Sequence, residues 1–279
     1  MIGAVVVLYN PWDSVLELIN TLVTNNLTIV LVRNEEGACL PLHDVLSCHV
    51  IYNHNQNGIS GALNIGLNYL FNIGCEWAFT FDQDSMPEDN MISNLIQYLE
   101  LYRTENIASI APRFVCNSTK ISSKLGFVYK DSVITSGNLI NLGVYKKIGG
   151  FKDELFIDSV DFEFCLNLRK NGYKIIQVND AVLFHNLGES KILSIFGKTF
   201  NLSIHSPLRR YYMFRNNVYV QKKYFSRFPQ YCIKRNIFLL IEIFQIILFE
   251  RDKRKNIKMV VKGLLDGMLS KYGKYNGRD

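Results

Sequence analysis

Asp82 and Asp84 stand one residue apart at the end of the apolar run Trp77-Ala78-Phe79-Thr80-Phe81, and Ser85-Met86-Pro87 follows. On an extended backbone alternate side chains share a face, so the two carboxylates would crowd each other unless a cation lay between them and a ligand. Oxygen donors suit Mg²⁺ or Mn²⁺, which keep several waters and take one or two carboxylates beside phosphate oxygens. The same tripeptide is also ordinary turn chemistry, because Asp favours positions where a strand stops. What the neighbouring elements bring to the pair decides between the two readings.

Those elements read as alternating strands and helices. The runs 4–8 and 28–32 are uninterrupted and rich in β-branched residues, and Val15, Leu16, Leu18, Ile19, Leu22 and Val23 recur between them at helical spacing. A third strand, Val50-Ile51-Tyr52, precedes Asn57-Gly58, and Leu63, Gly66, Leu67 and Leu70 then continue as a helix toward Trp77. Apolar strands separated by helices predict a mainly parallel sheet covered on both faces. In such sheets ligands bind beyond the carboxyl ends of the strands. Asn10, Asn34, Asn57 and the acidic pair all fall at those ends. Asn10 and Asn34 also suit plain turns. Asn57 also suits a helix cap, a role compatible with phosphate binding at the same helix start.

Composition narrows the class. Six cysteines without a CxxC pair or zinc spacing predict reduced thiols. The apolar N-terminus lacks a basic leader and meets Pro11 at once, so it reads as a strand rather than a signal peptide, and a cytoplasmic protein is expected. Residues 209–279 hold 17 Lys+Arg against 5 Asp+Glu, while the chain as a whole is only +6. That asymmetry implies two functional regions, 1–205 and a basic helical region, 206–279.

Taken in order, Val6-Val7-Leu8-Tyr9-Asn10-Pro11, Asn57-Gly58 through Gly61-Ala62-Leu63-Asn64-Ile65-Gly66, Phe81-Asp82-Gln83-Asp84-Ser85, Ser136-Gly137-Asn138-Leu139, Gly149-Gly150-Phe151, Phe156-Ile157-Asp158-Ser159-Val160-Asp161-Phe162-Glu163, Gly172-Tyr173-Lys174 and His185-Asn186-Leu187-Gly188 resemble family 2 glycosyltransferases. The Asp-Gln-Asp-Ser and Phe-Ile-Asp-x-Val-Asp-x-Glu segments resemble more narrowly its rhamnosyltransferase branch, which builds bacterial surface polysaccharides.

The resemblance implies a GT-A (Rossmann-like) nucleotide-sugar-binding fold, a nucleotide-sugar donor and inverting displacement. It assigns Asp82 and Asp84, with His185, to a metal bound by the donor diphosphate. Tyr9, Asn10, Asn34, Asn57, Gly58, Asn64 and Gln83 become donor-binding residues, with Arg33-Asn34 standing where many members carry Asp-Asn. Asp161 becomes the base that takes the acceptor proton, a role worth ~10²–10⁴-fold. Ser136, Gly137, Asn138, Asp158 and Glu163 become supporting residues beside the acceptor. Charge complementation of a helix start is the plainer reading of the three acids.

Beyond residue 205, Arg209-Arg210-Tyr211-Tyr212-Met213-Phe214-Arg215-Asn216-Asn217 also resembles that branch, and Arg209 and Arg215 could hold phosphate bidentately. The plainer reading packs the aromatics on the core and leaves the arginines in water. The run 237–249 is aliphatic, interrupted by Glu242 and Gln245 and flanked by Lys234, Arg235, Arg251, Lys253, Arg254 and Lys255. It is shorter than the ~20 residues of a spanning helix, so it suits a helix lying in a membrane interface, or one packed on the core or on a second copy in a homo-oligomer. The expected function is a metal-dependent glycosyltransferase, peripheral on the inner face of the cytoplasmic membrane. It would move L-rhamnose from dTDP-rhamnose to a polyprenyl-diphosphate-linked O-antigen (lipopolysaccharide) or capsule glycan. A UDP-hexose donor on the same fold is the nearer alternative. A basic nucleic-acid-binding or scaffold protein is the remote one, opposed by the aliphatic character of the basic region.

Overall fold

The computed structural model describes residues 1–10, 15–35, 48–102, 105–115, 125–184, 190–195 and 198–277, with backbone alone for 190–195 and 198–203. It divides into two compact units, residues 1–153 with 160–186 and residues 154–159 with 187–279.

The first unit begins as its hydrophobic pattern dictates. Strand β1 (Ile2–Leu8) leads through helix α1 (Val15–Thr24) to β2 (Thr28–Arg33) and β3 (Cys48–Tyr52), and helix α2 (Gly58–Asn72) returns the chain to β4 (Trp77–Asp82). These four strands are parallel, in the order β3-β2-β1-β4. Helix α1 buries Val15, Leu18, Ile19 and Leu22, spaced i, i+3, i+4 and i+7, whereas Leu16 and Val23 of the same apolar set stay outside.

After β4 the order changes. The chain continues through β5 (Met86–Pro87), α3 (Met91–Leu101), β6 (Ile107–Val115), β7 (Phe127–Tyr129), β8 (Asn138–Asn141), α4 (Leu142–Ile148), α5 (Val160–Lys170) and β9 (Lys174–Phe184). The sheet runs β3-β2-β1-β4-β8-β6-β9-β5, with β7 on β9, and β8 pairs antiparallel with both β4 and β6. The sheet is therefore mixed rather than mainly parallel. Gly137 explains how β8 enters between two parallel strands. Its φ is +74°, and a Cβ there would lie 2.7 Å from the Pro112 ring of β6, so the backbone reaches a gap that a side chain would close.

Residues of α1 and α3 share one apolar cluster with Phe79, Phe81, Leu139, Ile110 and Ile176. Helix α2 packs on the opposite face, where a Cβ on Gly66 would meet Val5 and Val32. Asn64, Tyr145, Phe151 and Phe164 connect α2 to α4 and α5 on that face.

In the second unit, a two-stranded ribbon of β10 (Ser190–Ile195) and β11 (Lys198–Ser203) precedes α6 (Pro207–Tyr224), α7 (Pro229–Phe249) and α8 (Lys253–Met268). Ser206 caps α6 by accepting from the Arg209 N–H at 3.2 Å, ahead of Pro207 in the first turn. Met213, Phe214, Leu239, Ile246 and Val260 form this unit's core. Among the described residues, no helix is long and apolar enough to cross a membrane. The cysteines described, Cys48, Cys75, Cys165 and Cys232, are free thiols, and burial pushes Cys165 up to about 12.

Candidate active site

The carboxyl ends of β1, β2 and β4 form one edge. Asp82 ends β4 half-buried, but the strand does not continue through Asp84. The Ser85 N–H donates to the Asp82 carbonyl at 3.2 Å, closing a turn that carries Asp84 into solvent. Turn geometry, not strand alternation, therefore aims the second carboxylate. Between them, Gln83 accepts from the Tyr9 N–H at 2.6 Å and donates to the Tyr9 carbonyl at 3.0 Å. Gln83 was expected to hold the donor. Its amide instead adds a rung to the β1–β4 ladder and leaves the Tyr9 ring half exposed, at 52%.

Beyond β2, Asn34 is buried in an amide network. Its side chain accepts from Asn53 at 2.7 Å and donates to Asn55 at 3.4 Å, and its N–H donates to the Leu8 carbonyl at 2.7 Å. Arg33 donates through Nε to Glu35 at 2.7 Å, both side chains being buried. Asn10 and Asn57 sit in the left-handed region, at φ 48° and 58°. Asn57 places no side-chain hydrogen bond on its helix and donates instead to Asp153 Oδ2 at 3.1 Å, so the side-chain cap expected there is not formed. Gly58, next to it, is buried with φ 62°.

Asn64 corrects a second expectation. It donates to the Phe151 carbonyl (2.9 Å) and Asp153 Oδ1 (2.6 Å), and accepts from the Tyr145 hydroxyl (2.7 Å) and the Phe151 N–H (3.1 Å). All four hydrogen-bonding positions of the amide are filled, so Asn64 joins α2 to α4 and offers nothing to a ligand. Sequence reasoning missed Asp153, the residue that ties Asn57 and Asn64 together. Its partners lie 96 and 89 positions away, and no local pattern announces them.

In the turn that leads into β8, Ser136 Oγ accepts from the Asp82 N–H at 3.3 Å and contacts Ser85 Oγ. Gly137 donates to the Thr80 carbonyl at 2.7 Å, and Asn138 accepts from Ser109 at 2.8 Å. Ser136 and Asn138 are buried. These three residues fix the end of β4 from the side, through the fold rather than at an open pocket.

Asp161 lies in the first turn of α5, half-buried, and accepts from the Phe162 N–H at 2.8 Å. The helix spans 11 residues, about 16 Å, and re-enters the sheet at β9 through Asn171-Gly172-Tyr173. Running back along β9, it brings its N-terminal turn toward the edge at which β4 releases Asp82. Glu163 is fully buried in the same turn.

Asp158 belongs to the second unit. Phe156, Asp158 and Ser159 all hold left-handed conformations, with φ of 64°, 63° and 61°. Asn216 fastens this segment by donating to the carbonyls of Leu155 (2.9 Å), Ile157 (2.7 Å) and Asp158 (2.8 Å). Burial pushes the Asp158 carboxyl up, while Arg209 and Arg235 pull it back; Arg209 Nε lies 3.5 Å from Asp158 Oδ1. Arg215, expected to hold phosphate, is buried and donates to Asn216 and to the carbonyls of Glu154, Leu155 and Gly273. Its guanidinium is a structural clamp. Arg209 remains exposed, and Arg210 is fully buried with Glu250 at 2.7 Å, so neither reading of this segment holds for all its arginines. His185 lies outside the described residues.

Among the described residues no cluster of three His, Cys, Asp or Glu could hold a metal. A half-buried and an exposed carboxylate at one strand end are nevertheless the hard oxygen donors a hydrated divalent cation uses beside phosphate.

Residues 4–159 match the family described as Glycosyl transferase family 2. The chain is 32% identical to the dTDP-rhamnosyl transferase RfbF of Shigella flexneri, covering 99% of this chain and 98% of that protein. Among solved structures it is similar to S. aureus TarS 1-349, with a TM-score of 0.62, 11% identity and coverage of 95% of this chain and 80% of that one. It is also similar to GalNAc-T7 solved with UDP, GalNAc and Mn²⁺, with a TM-score of 0.61, 13% identity and coverage of 96% and 56%. These two likenesses show the GT-A fold alone. The family match sets aside the nucleic-acid-binding or scaffold alternative. A family match running from β1 to the threshold of α5, joined to a relative similar along its whole length, places this chain in glycosyl transferase family 2, as a glycosyltransferase.

Proposed function

We propose that the chain transfers L-rhamnose, with inversion, from dTDP-L-rhamnose to a lipid-linked glycan of a bacterial surface polysaccharide, at the cytoplasmic face of the inner membrane. Similarity along the whole length of a dTDP-rhamnosyl transferase carries this reading. The exposed Tyr9 ring and Asn10, at the ends of the nucleotide-side strands, would receive the base. Asp82 and Asp84 would hold Mg²⁺ or Mn²⁺ with the donor diphosphate, with His185 as the expected third ligand. When bound, the cation supplies positive charge to the departing diphosphate.

Asp161 would take the proton of the acceptor hydroxyl as its oxygen attacks the anomeric carbon and the carbon–oxygen bond to phosphate breaks. A helix start favours the carboxylate's negative charge, and the Phe162 N–H donates to one of its oxygens. A UDP-hexose donor is the second reading, favoured by a GalNAc-T7 neighbour solved with UDP.

A thermal-shift panel of dTDP-rhamnose, UDP-glucose, UDP-galactose and UDP-GlcNAc, with and without Mn²⁺, tests the donor. Mn²⁺-dependent stabilisation by dTDP-rhamnose is expected, and stabilisation by a UDP-sugar alone would overturn the rhamnose assignment. Asp161→Asn should lower transfer by ~10²-fold or more while nucleotide binding persists; undiminished turnover would remove Asp161 as base.

A further inference from the structure

Arg113, on β6, belongs to no motif in the sequence. Phe79 of β4 pairs with Leu139 of β8, and Leu139 pairs with Ile110 of β6. Three residues further along the two parallel strands, the next row at the carboxyl edge holds Asp82 and Arg113, with Ser136 in the turn that leads into β8. Ser136 already touches the Asp82 backbone at 3.3 Å. Adjacent strands lie about 4.8 Å apart, so β4 and β6 run about 10 Å apart across β8, within reach of an extended arginine and a diphosphate between them.

The face agrees as well. The Pro112 ring lies against Gly137 and Leu183, and Leu183 belongs to the cluster shared with α1 and α3. Alternation sends Arg113 to the opposite face, where α5 carries Asp161 and where Asp82, following Phe81 of that cluster, also points.

The guanidinium itself supplies the third observation. Nε and Nη2 of Arg113 are buried and have no hydrogen-bond acceptor among the described residues. These two atoms form the side-on fork that grips two oxygens of one phosphate. Arg33, Arg169, Arg210 and Arg215 each have a protein acceptor, in Glu35, Asp131, Glu250 and backbone carbonyls, although single nitrogens of Arg33 and Arg169 and two of Arg210 are also buried without a hydrogen bond. Two carboxylates beside a diphosphate repel it, and a cation on the far side of the same row offsets that repulsion.

We propose that Arg113 is an oxyanion-binding residue of the transferase site, gripping a phosphate in its side-on fork. The assignment rests on the transferase reading. The phosphate can belong to the donor diphosphate or to the acceptor's carrier, and the two are separable. Titration calorimetry on the full chain with Mn²⁺ would compare wild type, Arg113→Gln and Arg113→Lys, using dTDP, dTMP, UDP and UMP. If the donor's β-phosphate is held, Arg113→Gln loses about tenfold in affinity for the preferred diphosphate, equivalent to about 1.4 kcal/mol, keeps the monophosphate within about twofold, and Arg113→Lys falls between. If the acceptor's phosphate is held, nucleotide affinities and donor hydrolysis stay intact while transfer to a membrane extract is lost. Unchanged affinities with unchanged transfer overturn the proposal. So does equal loss of mono- and diphosphate with a lowered melting temperature, which would mark a folding role. Failure of the transferase reading shows separately, as a wild type that binds none of the four nucleotides.

Discussion

A polar side chain can bind a ligand only with the donors and acceptors its own protein leaves it. Asn64, Gln83 and Arg215 have the residue types a sugar-nucleotide site uses, and their order along the chain fits the family. Their partners, Phe151, Tyr9 and the 154–155 carbonyls, lie 87, 74 and about 60 positions away, so saturation cannot be read from the sequence. The positions of Asp82, Asp84 and Asp161 are legible because a strand end, a turn and a helix start are local features; the roles proposed for them are not read from position alone. Replacing Asn64 with Ala removes four hydrogen bonds and leaves the buried Phe151 N–H unsatisfied. The expected cost is about 2–3 kcal/mol, seen as a melting temperature lower by about 5–10 °C, with nucleotide affinity of the folded protein within about twofold of wild type. A variant that melts normally but loses the nucleotide would return Asn64 to the ligand.

Elements differ in how much of their placement is local. The four parallel strands announce themselves because each is buried on both faces and therefore apolar throughout. Strand β8 does not. Asn138-Leu139-Ile140-Asn141 is only four residues long, and its position between β4 and β6 depends on Gly137 closing against Pro112, a contact the sequence does not encode by pattern. Packing of α6 on α8 is equally non-local. A Cβ on Gly263 would lie 2.4 Å from the Tyr211 carbonyl oxygen, and one on Gly267 would lie 2.8 Å from that of Arg215, so both obstacles are backbone. In an isolated helix Gly→Ala stabilises by about 1 kcal/mol. Here Gly263→Ala must separate two helices, and overpacking of this kind costs about 1–3 kcal/mol. Thermal melting followed by circular dichroism should therefore show a destabilised variant; a higher melting temperature would mean that the close approach of these helices is not what holds the unit together.

At the scale of the whole molecule, the distribution of polarity in α7 is inverted. Glu242 is 2% exposed and faces inward, with His205 at 3.3 Å and Arg210 at 3.7 Å. Burial and the Arg209, Arg210 and Arg235 guanidiniums hold His205 down at about 4, so it stays neutral near neutral pH. Meanwhile Ile237, Leu240, Ile241, Phe244, Ile247 and Leu248 face outward at 49–64% exposure. The sequence showed an aliphatic run between basic flanks; only the buried carboxylate reveals which side faces out. An apolar stripe in a region carrying 17 Lys+Arg against 5 Asp+Glu is the pattern of a helix suited to an anionic bilayer surface, where each nearby basic residue would contribute about 1 kcal/mol and the stripe would enter the acyl boundary. Sedimentation with vesicles containing about 30% anionic lipid should carry the full chain down, neutral vesicles should carry far less, and raised salt should release it. Phe244→Glu with Leu248→Glu should abolish sedimentation without lowering nucleotide affinity, because these side chains touch solvent rather than the core. Equal binding of wild type and double variant would disprove the membrane assignment, and a dimer dissolved by the same two substitutions would give the stripe to a second copy of the chain.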